Sequence, residues 1–348
     1  MAVLGSGVEN LNDLMSVLDP NGKLLDISEI LTLNGTDELF QDMTWMEGNL
    51  LTGHRDAARV ALPEGSFRAI NEGVPITKGA VTQIEETCAE YSDFSQADRS
   101  LAVLSGNVSA YRLKQAKPHI LGAGHKMART VFYGNANANP KEFTGLAPRY
   151  NTLDPAKSAT ATNVIDAGGT GTALRSMWLC AWSADTLTGI YPKNTKGGLK
   201  HEDATNAAGS GDGDGMPPAA VLLDANGNPF MGYRDHWEWK AGLMVKDWRY
   251  AVRTANVDVA ALTKNATTGA DIQDLMVQMQ ELLESTSGTR TAFYVPRTIR
   301  SFLRRQLLNG KNPFLSWDKI GGERVMMFGD TPIRRLDTLN INETRVTA

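Results

Sequence analysis

The chain has 348 residues, of which 42% are hydrophobic and 21% are charged, so it can bury a core and is not globally disordered. The 35 basic and 39 acidic residues give a formal net charge of −4, which excludes a protein that holds nucleic acid through a strong overall positive field. Two cysteines, Cys88 and Cys180, are too few for a disulfide framework and suit a reducing compartment.

The first 48 residues are polar and contain two short amphipathic stretches, at 10–18 and 27–33. A helix of that length is not stable alone in water, where about 12–15 residues are marginal. Two interpretations stay open: a loose tail, and an arm that docks on a neighbouring molecule. The opening residues lack the basic and apolar regions of a signal peptide. No apolar run approaches the roughly 20 residues of a membrane span, so we expect a soluble protein made in the cytoplasm.

Residues 49–90 predict a long β-hairpin. Glycine and proline break any helix between positions 53 and 79, and the flanks at 54–62 and 80–88 have the pattern of extended strands. The few large apolar residues between the flanks are interleaved with charged ones. An isolated two-stranded ribbon is marginally stable in water. Two interpretations therefore stay open: a mobile surface loop, and a ribbon that another subunit orders.

Residues 95–133 predict helix. The run from Ser95 to Asp98 is a signal for a helix N-terminus, Gly106-Asn107 interrupts the pattern, and residues 107–133 follow as one helix. At 1.5 Å per residue this helix is about 40 Å long. Pro118 removes one backbone hydrogen bond, so we expect a bend near it.

Residues 176–254 predict an antiparallel sheet. Asp224 to Gly227 is a hairpin turn signal, and residues 202–215 form a low-complexity loop. The strands expected in this region are 176–182, 189–192, 221–223, 229–231, 237–240 and 243–254.

The last part of the chain, 255–348, predicts a compact α+β unit. A helix capped by Thr268 extends through residue 284 with apolar residues at a 3.6-residue period. A second helix extends from Pro296 through Leu308. The strands expected around them are 292–295, 324–328 and 331–339.

Two stretches resemble ligand loops but lack essential residues. The glycine-rich run 166–172 has no lysine after it, as a phosphate loop requires, so we interpret it as a flexible turn. Asp224, Asn226 and Asn228 match the first ligand positions of a calcium loop. Pro229 occupies the sixth position, which must be glycine, so we favour the hairpin.

No candidate catalytic centre emerges from the sequence. It contains no nucleophile motif with a suitable histidine and no zinc spacing, and we predict no enzyme, no metal and no cofactor. The helix after Pro296 carries Arg297, Arg300, Arg304 and Arg305. These arginines indicate either contact with phosphate or an ordinary solvated or interface face.

A series of motifs, taken in order, carries a family resemblance across nearly the whole chain. The motifs are W-M-E-G-N at 45–49, T-G-H-R at 52–55, F-Y-G-N at 132–135, P-K-E-F-T-G-L at 140–146, G-L-A-P-R at 145–149, G-I-Y-P at 189–192 and K-D-W-R-Y at 246–250. In this order they resemble the major capsid proteins of tailed bacteriophages with the HK97-like fold. Within that family, the chain is similar to proteins of short-tailed phages related to the Bordetella phage group.

The resemblance implies an α+β fold with four parts. These are an N-terminal arm at 1–48, an extended β-hairpin loop (E-loop) at 49–92, a peripheral (P) domain at 93–254, and a C-terminal α+β axial (A) domain at 255–348. The P domain contains a long spine helix at 107–133 and an antiparallel sheet. In the commonest version of the fold the strands that complete the P domain follow the A domain. Here they precede it, so we expect a rearranged strand order.

The implied function is self-assembly. Copies of the chain form pentamers and hexamers of an icosahedral head around double-stranded DNA, which is enclosed without sequence specificity. The implied location is the virion, after assembly in the host cytoplasm and without a membrane. The further partners implied are a scaffolding protein, a portal and a decoration protein.

Inter-subunit contacts are expected from the E-loop. The arginines are expected to meet acidic partners, and Phe67 or Ile70 to fill apolar hollows. The contact residues expected are Arg55, Arg59, Phe67, Arg68, Ile70 and Lys78. Some family members join a lysine to an asparagine across subunits. Lys78 lies in the corresponding loop, but no partner asparagine is evident, so no crosslink is predicted.

Two other classes of protein stay open. One is another oligomeric structural protein of the virion, which would need the long coiled-coil or channel helices that this sequence lacks. The other is a calcium- or carbohydrate-binding β module built on residues 200–236.

Overall fold

The computed structural model of the chain describes residues 36–205, 219–224, 226–262, 270–309, 315–320 and 323–348. Both amphipathic stretches of the first 35 residues, most of the loop at 202–215 and the Thr268 cap lie outside these residues.

Helices and strands are mixed along the chain, as the sequence predicts. The helices of the described residues are α1 (Thr36–Asp42), α2 (Arg99–Leu104), α3 (Val108–Tyr133), α4 (Ile272–Leu282) and α5 (Arg297–Asn309). The strands are β1 (Trp45–Glu47), β2 (Gly53–Ala61), β3 (Ala80–Thr87), β4 (Ala89–Asp98), β5 (Val164–Asp166), β6 (Leu174–Trp182), β7 (Leu187–Tyr191), β8 (Lys200–Asp203), β9 (Ala220–Leu223), β10 (Pro229–Val245), β11 (Ala251–Asp258), β12 (Arg290–Val295), β13 (Leu315–Ile320), β14 (Glu323–Phe328) and β15 (Thr331–Arg335). No helix among the described residues is long and apolar enough to cross a membrane.

The chain divides into two compact units. Within the described residues the first unit contains 90–126 and 198–240, and the second contains 36–89, 127–197 and 241–348. Helix α3 and strand β10 each contribute residues to both. The boundary expected between P and A domains, at 254/255, falls inside strand β11. The four-part division remains a prediction about the assembled protein.

Strand β6 is the centre of the second unit. It pairs antiparallel with β11 along one edge and with β12 along the other, and eight of its nine residues are buried. A strand buried on both faces is nearly continuously apolar, which accounts for the run S-M-W-L-C-A-W at 176–182. Within this unit the strand order is β13-β14-β15-β12-β6-β7-β10.

The two faces of β6 are covered by different elements. Met177, Leu179 and Ala181 pack in one cluster with the apolar stripes of α4 and α5. On the opposite face, Trp178 lies between Phe132, at the end of α3, and Tyr150, with ring centroids 5.8 and 5.9 Å apart respectively. Each large side chain buried in this way stabilises the fold by about 1.5–3 kcal/mol.

A buried ionic network joins four distant segments of the second unit. Glu343 accepts hydrogen bonds from Tyr133 Oη (2.5 Å), Ser176 Oγ (2.6 Å) and Arg253 Nη2 (2.5 Å). Arg253 also donates to the Tyr150 carbonyl at 2.6 Å. Burial and the Glu343 carboxylate raise the pKa of Tyr133, so its hydroxyl stays protonated and serves as a donor.

Part of the predicted N-terminal arm belongs to the second unit. Strand β1 pairs in parallel with β7, and Leu39 of α1 is fully buried. Asp42 accepts hydrogen bonds from Arg334 Nε at 3.0 Å and Tyr294 Oη at 3.1 Å. The described part of the arm from Thr36 to Glu47 is therefore packed against its own unit.

The first unit contains a smaller core. Strand β10 pairs with β8 and β9, and buried residues of α2 and the start of α3 pack against it. The core residues are Ala97, Leu101, Ala102, Val108, Tyr111 and Tyr233. Arg112 Nη2 lies 2.9 Å from Asp203 Oδ2 and 2.6 Å from Asp235 Oδ1.

The prediction of the long helix is confirmed, but the first residues of the predicted helical region form the end of a strand. Asn107 precedes α3, and its Oδ1 accepts a hydrogen bond from Ala110 N at 3.0 Å. The prediction of helix at 95–98 was wrong, because β4 extends to Asp98 with alternating burial. Asp98 does cap a helix, since its Oδ1 accepts from Ser100 N at 2.6 Å. The bend expected near Pro118 remains a prediction.

Three other element boundaries differ from prediction. The strand expected at 237–240 and the first residues of the strand expected at 243–254 both belong to β10, which is continuous through Gly242 to Val245. Strand β11 begins only at Ala251. A Cβ at Gly242 would lie 2.8 Å from the Thr87 carbonyl oxygen, so this glycine permits close strand approach and does not end the strand. The strand expected at 331–339 ends at Arg335, and the described part of the helix expected from Thr268 begins at Ile272, capped by Asp271. Strand β13 was not predicted.

Candidate assembly surface

The predicted hairpin exists as a ribbon of two strands. Strands β2 and β3 pair antiparallel from Gly53↔Thr87 to Ala61↔Ala80, with a register shift between Arg59 and Ala61. They form a two-stranded sheet of their own. At about 3.4 Å per residue the nine residues of β2 extend about 30 Å. We call β2, β3 and the connecting residues 62–79 the ribbon.

The tip of the ribbon exposes large apolar side chains. Phe67, Ile70 and Ile76 are fully or almost fully exposed, with relative accessibilities of 108%, 92% and 101%. The turn between them is held by polar contacts. Ala69 N donates to Glu72 Oε2 at 3.0 Å, and Asn71 adopts a φ of 69°, a left-handed conformation that asparagine tolerates. The tip is thus shaped by its own hydrogen bonds and buries none of these three apolar residues in its own chain.

The six residues predicted as contacts all lie on the ribbon. Arg55 is paired within the ribbon, with its Nη2 2.6 Å from Glu85 Oε2. Arg68 Nη1 donates to the Glu72 carbonyl at 3.2 Å. The remaining residues of the set are all exposed: Arg59, Phe67, Ile70 and Lys78. The structure therefore brings this set onto one exposed element.

The base of the ribbon is fixed by ion pairs to the rest of the second unit. Arg149 holds Glu86 with two hydrogen bonds, Nη1 to Oε1 at 2.5 Å and Nη2 to Oε2 at 2.7 Å. Lys246 Nζ lies 2.7 Å from Asp56 Oδ2. The hydrogen bond from Lys246 is the largest cause that lowers the pKa of Asp56. These contacts set the ribbon's direction at its base and leave its tip without burial.

Two further residues, Asn49 and His54, help to hold the base of the ribbon. The Asn49 side chain donates to the Arg55 carbonyl at 2.6 Å and accepts from its N–H at 2.8 Å. Burial, with help from Lys246, lowers the pKa of His54. Its neutral ring accepts a hydrogen bond from Asn49 N at Nδ1, 3.3 Å away.

Sequence reasoning missed the anchoring roles of Arg149 and Lys246. Arg149 lies in the motif G-L-A-P-R and Lys246 in the motif K-D-W-R-Y. Nothing in the sequence of either motif relates it to the ribbon. Their partners are 63 and 190 residues away in the sequence (149 − 86 and 246 − 56). Spacing alone cannot reveal pairs of such separation.

A concave groove lies beside the base of the ribbon. Its volume is about 950 Å³, and both strands contribute to its lining. Charged side chains of both signs face it, including Asp56, Arg59, Asp185 and Arg249, with Trp248 among them.

The two stretches tested for ligand binding have structural roles. Asp224 Oδ1 accepts from Asn226 N and Asn228 N, both at 2.8 Å, so this carboxylate organises the predicted hairpin turn. In the run at 166–172, a Cβ at Gly169 would lie 2.3 Å from the Asn256 carbonyl oxygen. This glycine-rich run therefore packs against β11. The described residues contain no cluster of His, Cys, Asp and Glu suited to a metal ion.

Comparison with known proteins agrees with this geometry. The family model of the major capsid protein GP7 matches residues 19–347. A chain of the near-atomic structure of bacteriophage Epsilon15 is similar over 100% of this chain and 99% of its own length, with 28% identity and a TM-score of 0.71. The bacteriophage JBD30 capsid is similar over 97% of both chains, with 11% identity and a TM-score of 0.50. None of the curated proteins matches. The predicted HK97-like fold is confirmed.

Proposed function

Because the chain belongs to the family of major capsid proteins GP7, we propose that its copies assemble as pentamers and hexamers into an icosahedral phage head that encloses double-stranded DNA. The observation that carries this assembly mechanism is the ribbon, which is anchored at its base and exposes apolar side chains at its tip. On the order of its motifs, we also propose a kinship with proteins of short-tailed phages of the Bordetella group.

The ribbon acts by burying its tip on an adjacent subunit. Phe67, Ile70 and Ile76 are the anchors, and each contributes about 1.5–3 kcal/mol if it is fully buried there. Arg59 and Lys78 lie at the rim, where exposed ion pairs add about 0–1 kcal/mol each. One such contact is weak. Every subunit makes it, and the closed shell links the contacts so that they act together.

The four-part division supports a role for each segment. We assign the P domain to the rim of each capsomer and the A domain to its centre, and the N-terminal arm to contact with another neighbour. The net charge of −4 suits a lining that encloses DNA without gripping it. A scaffolding protein, a portal and a decoration protein are the further partners we propose, with assembly in the host cytoplasm.

Electron microscopy of the full chain tests this assembly. The chain is expressed with and without a scaffolding protein from the same phage. We expect shells or capsomer rings in at least one preparation, because the ribbon tips find burial only on other copies. A chain that stays a monomer at high concentration in both preparations would contradict the proposal.

A matched pair of variants tests the ribbon itself. Phe67→Ser with Ile70→Ser removes two exposed apolar side chains from the tip, and Val221→Ser with Leu223→Ser removes two from β9, which are 65% and 57% exposed. We expect unchanged circular dichroism in both double variants and loss of assembly in the ribbon variant alone. Normal shells from the ribbon variant would show that the tip is not an anchor.

A further inference from the structure

Helix α5 has two faces of opposite character. Ile299 and Leu303 are fully buried in the core of the second unit. The other face carries residues at the i, i+3, i+4, i+7 and i+8 spacing of a single helical stripe. Together with Arg335 of β15, this stripe lines a concave surface of about 350 Å³: Arg297, Arg300, Ser301, Arg304 and Arg305. We call this surface the arginine pocket.

Two carboxylates of the described residues act on the pocket, and both lie beside arginines of β15. Glu38 and Asp337 both raise the pKa of Arg300. Asp337 accepts two hydrogen bonds from Arg335, at 2.9 and 2.6 Å, and Glu38 lies 4.0 Å from Arg334. Each carboxylate is therefore engaged by a guanidinium of β15, while α5 brings four more guanidinium groups to the pocket.

Arg300 shows what this crowding does to a single side chain. Burial lowers the pKa of Arg300, and the neighbouring charges of Arg335 and Arg304 lower it further. Its Nε is buried and has no hydrogen-bond partner among the described residues. A buried charged donor left without an acceptor is costly. An anion in the pocket would supply negative charge to this cluster of guanidinium groups.

We propose that the arginine pocket binds a compact, multiply charged phosphate, such as an inorganic or nucleoside polyphosphate. The planar fork of a guanidinium matches two phosphate oxygens at once, and a pocket of this volume lies within the range of small-molecule sites. Duplex DNA fits less well, because its charges are spread along an extended axis and need an extended basic track. The proposal does not depend on shell assembly, since the pocket lies within one unit of one chain.

Titration calorimetry of the purified, unassembled full chain tests the proposal, with inorganic tripolyphosphate as the probe. We expect one site per chain and weaker binding of orthophosphate, which can engage fewer guanidinium groups. Arg300→Gln should weaken tripolyphosphate binding about tenfold or more. Arg297→Gln with Arg305→Gln changes two exposed residues of the pocket and should weaken it by at least as much without affecting folding.

Two controls separate a built site from general attraction. The double variant Arg59→Gln with Arg68→Gln removes two positive charges from the ribbon, as many as the double variant of the pocket removes. It should leave tripolyphosphate binding unchanged. Arg300→Lys keeps the charge but loses the fork, and should weaken binding several-fold. Equal weakening by the ribbon control, no binding of tripolyphosphate at moderate salt, or binding of a short DNA duplex alone would each overturn the proposal.

Discussion

The ribbon and the buried core of the second unit each contain an ion pair of arginine with glutamate, but in opposite environments. Arg55 and Glu85 lie on the ribbon with side chains 46% and 42% exposed, whereas Arg253 and Glu343 lie in the core at 5% and 9%. On the ribbon, water solvates both charges whether or not they pair. In the core, each charge depends on the other. The comparison shows that the core is specified within one chain, while the ribbon takes little stability from its own chain beyond its base.

The pair between Arg149 and Glu86 is intermediate, at 20% and 14% exposed. It lies at the base of the ribbon. These three pairs therefore form a series in burial, and the stability of the unassembled chain is expected to respond to their loss in that order.

The largest effect is expected from Glu343→Gln. The substitution keeps the shape of the side chain but leaves the Arg253 guanidinium buried without a counter-charge. We expect the free energy of unfolding to fall by about 3–5 kcal/mol, measured by urea denaturation of the unassembled chain. The double variant Arg253→Met with Glu343→Leu should lose less than this, because both charges are then absent. If the free energy of unfolding of Glu343→Gln fell by less than about 1 kcal/mol, this buried pair would contribute no more than an exposed one.

An intermediate effect is expected from Arg149→Gln. The arginine gives two hydrogen bonds to Glu86 and one each to the Gly145 and Thr144 carbonyls, both at 3.1 Å, so its removal leaves partly buried acceptors unsatisfied. We expect a loss of about 1–3 kcal/mol. Hydrogen exchange should also accelerate in β2 and β3 but not in β6. Equal acceleration in β6 would mean that the base of the ribbon is not a local anchor.

A smaller, pH-dependent effect is expected from the pair of Asp56 and Lys246. The pKa of Asp56 in the folded chain lies below its usual value of 3.8, chiefly because of the hydrogen bond from Lys246. The stabilisation is therefore present above about pH 4 and is lost as the pH falls through the folded pKa. With Asp56 38% exposed, its size should be below about 1 kcal/mol.

Comparison of the wild type with Lys246→Met isolates this contribution. The difference in unfolding free energy between the two proteins should be measurable at pH 6 and should shrink as the pH falls below about 4. Because most other titrating groups are common to both proteins, their effects largely cancel. A difference that stays constant over this range would exclude the ion pair as its source.

Whether a feature could be predicted from the sequence depended on how far apart its interacting residues lie along the chain. The spine helix and the ribbon were predictable because their signals are local: α3 starts with an asparagine cap and continues for 26 residues, and the flanks of the ribbon contain no helix pattern. Strand β4 was missed because the cap signal at Asp98 belongs to the helix that follows it. The alternation before Asp98 has meaning only against β10, far along the chain.

The contact residues of the ribbon were predictable as a set, whereas its anchors were not. Phe67 and Ile70 are conspicuous because large apolar side chains are few in that stretch. Arg149 and Lys246 resemble any other basic residues until the fold brings Glu86 and Asp56 beside them. The buried pair of Arg253 and Glu343 is a similar case, because only tertiary packing removes water from both charges.

The smallest effect is expected from Arg55→Gln, although its pair has one of the shortest ion-pair distances in the ribbon, 2.6 Å. With both side chains almost half exposed, water replaces the lost contact, and the free energy of unfolding should change by about 0–1 kcal/mol. The comparison is sharpest if urea denaturation of Arg55→Gln and Arg149→Gln is run in parallel, since both substitutions remove one arginine paired with a glutamate of β3. Equal losses in the two variants would mean that burial does not rank these pairs. A normal stability together with slower shell assembly for Arg55→Gln would instead assign the Arg55 charge to contacts between copies.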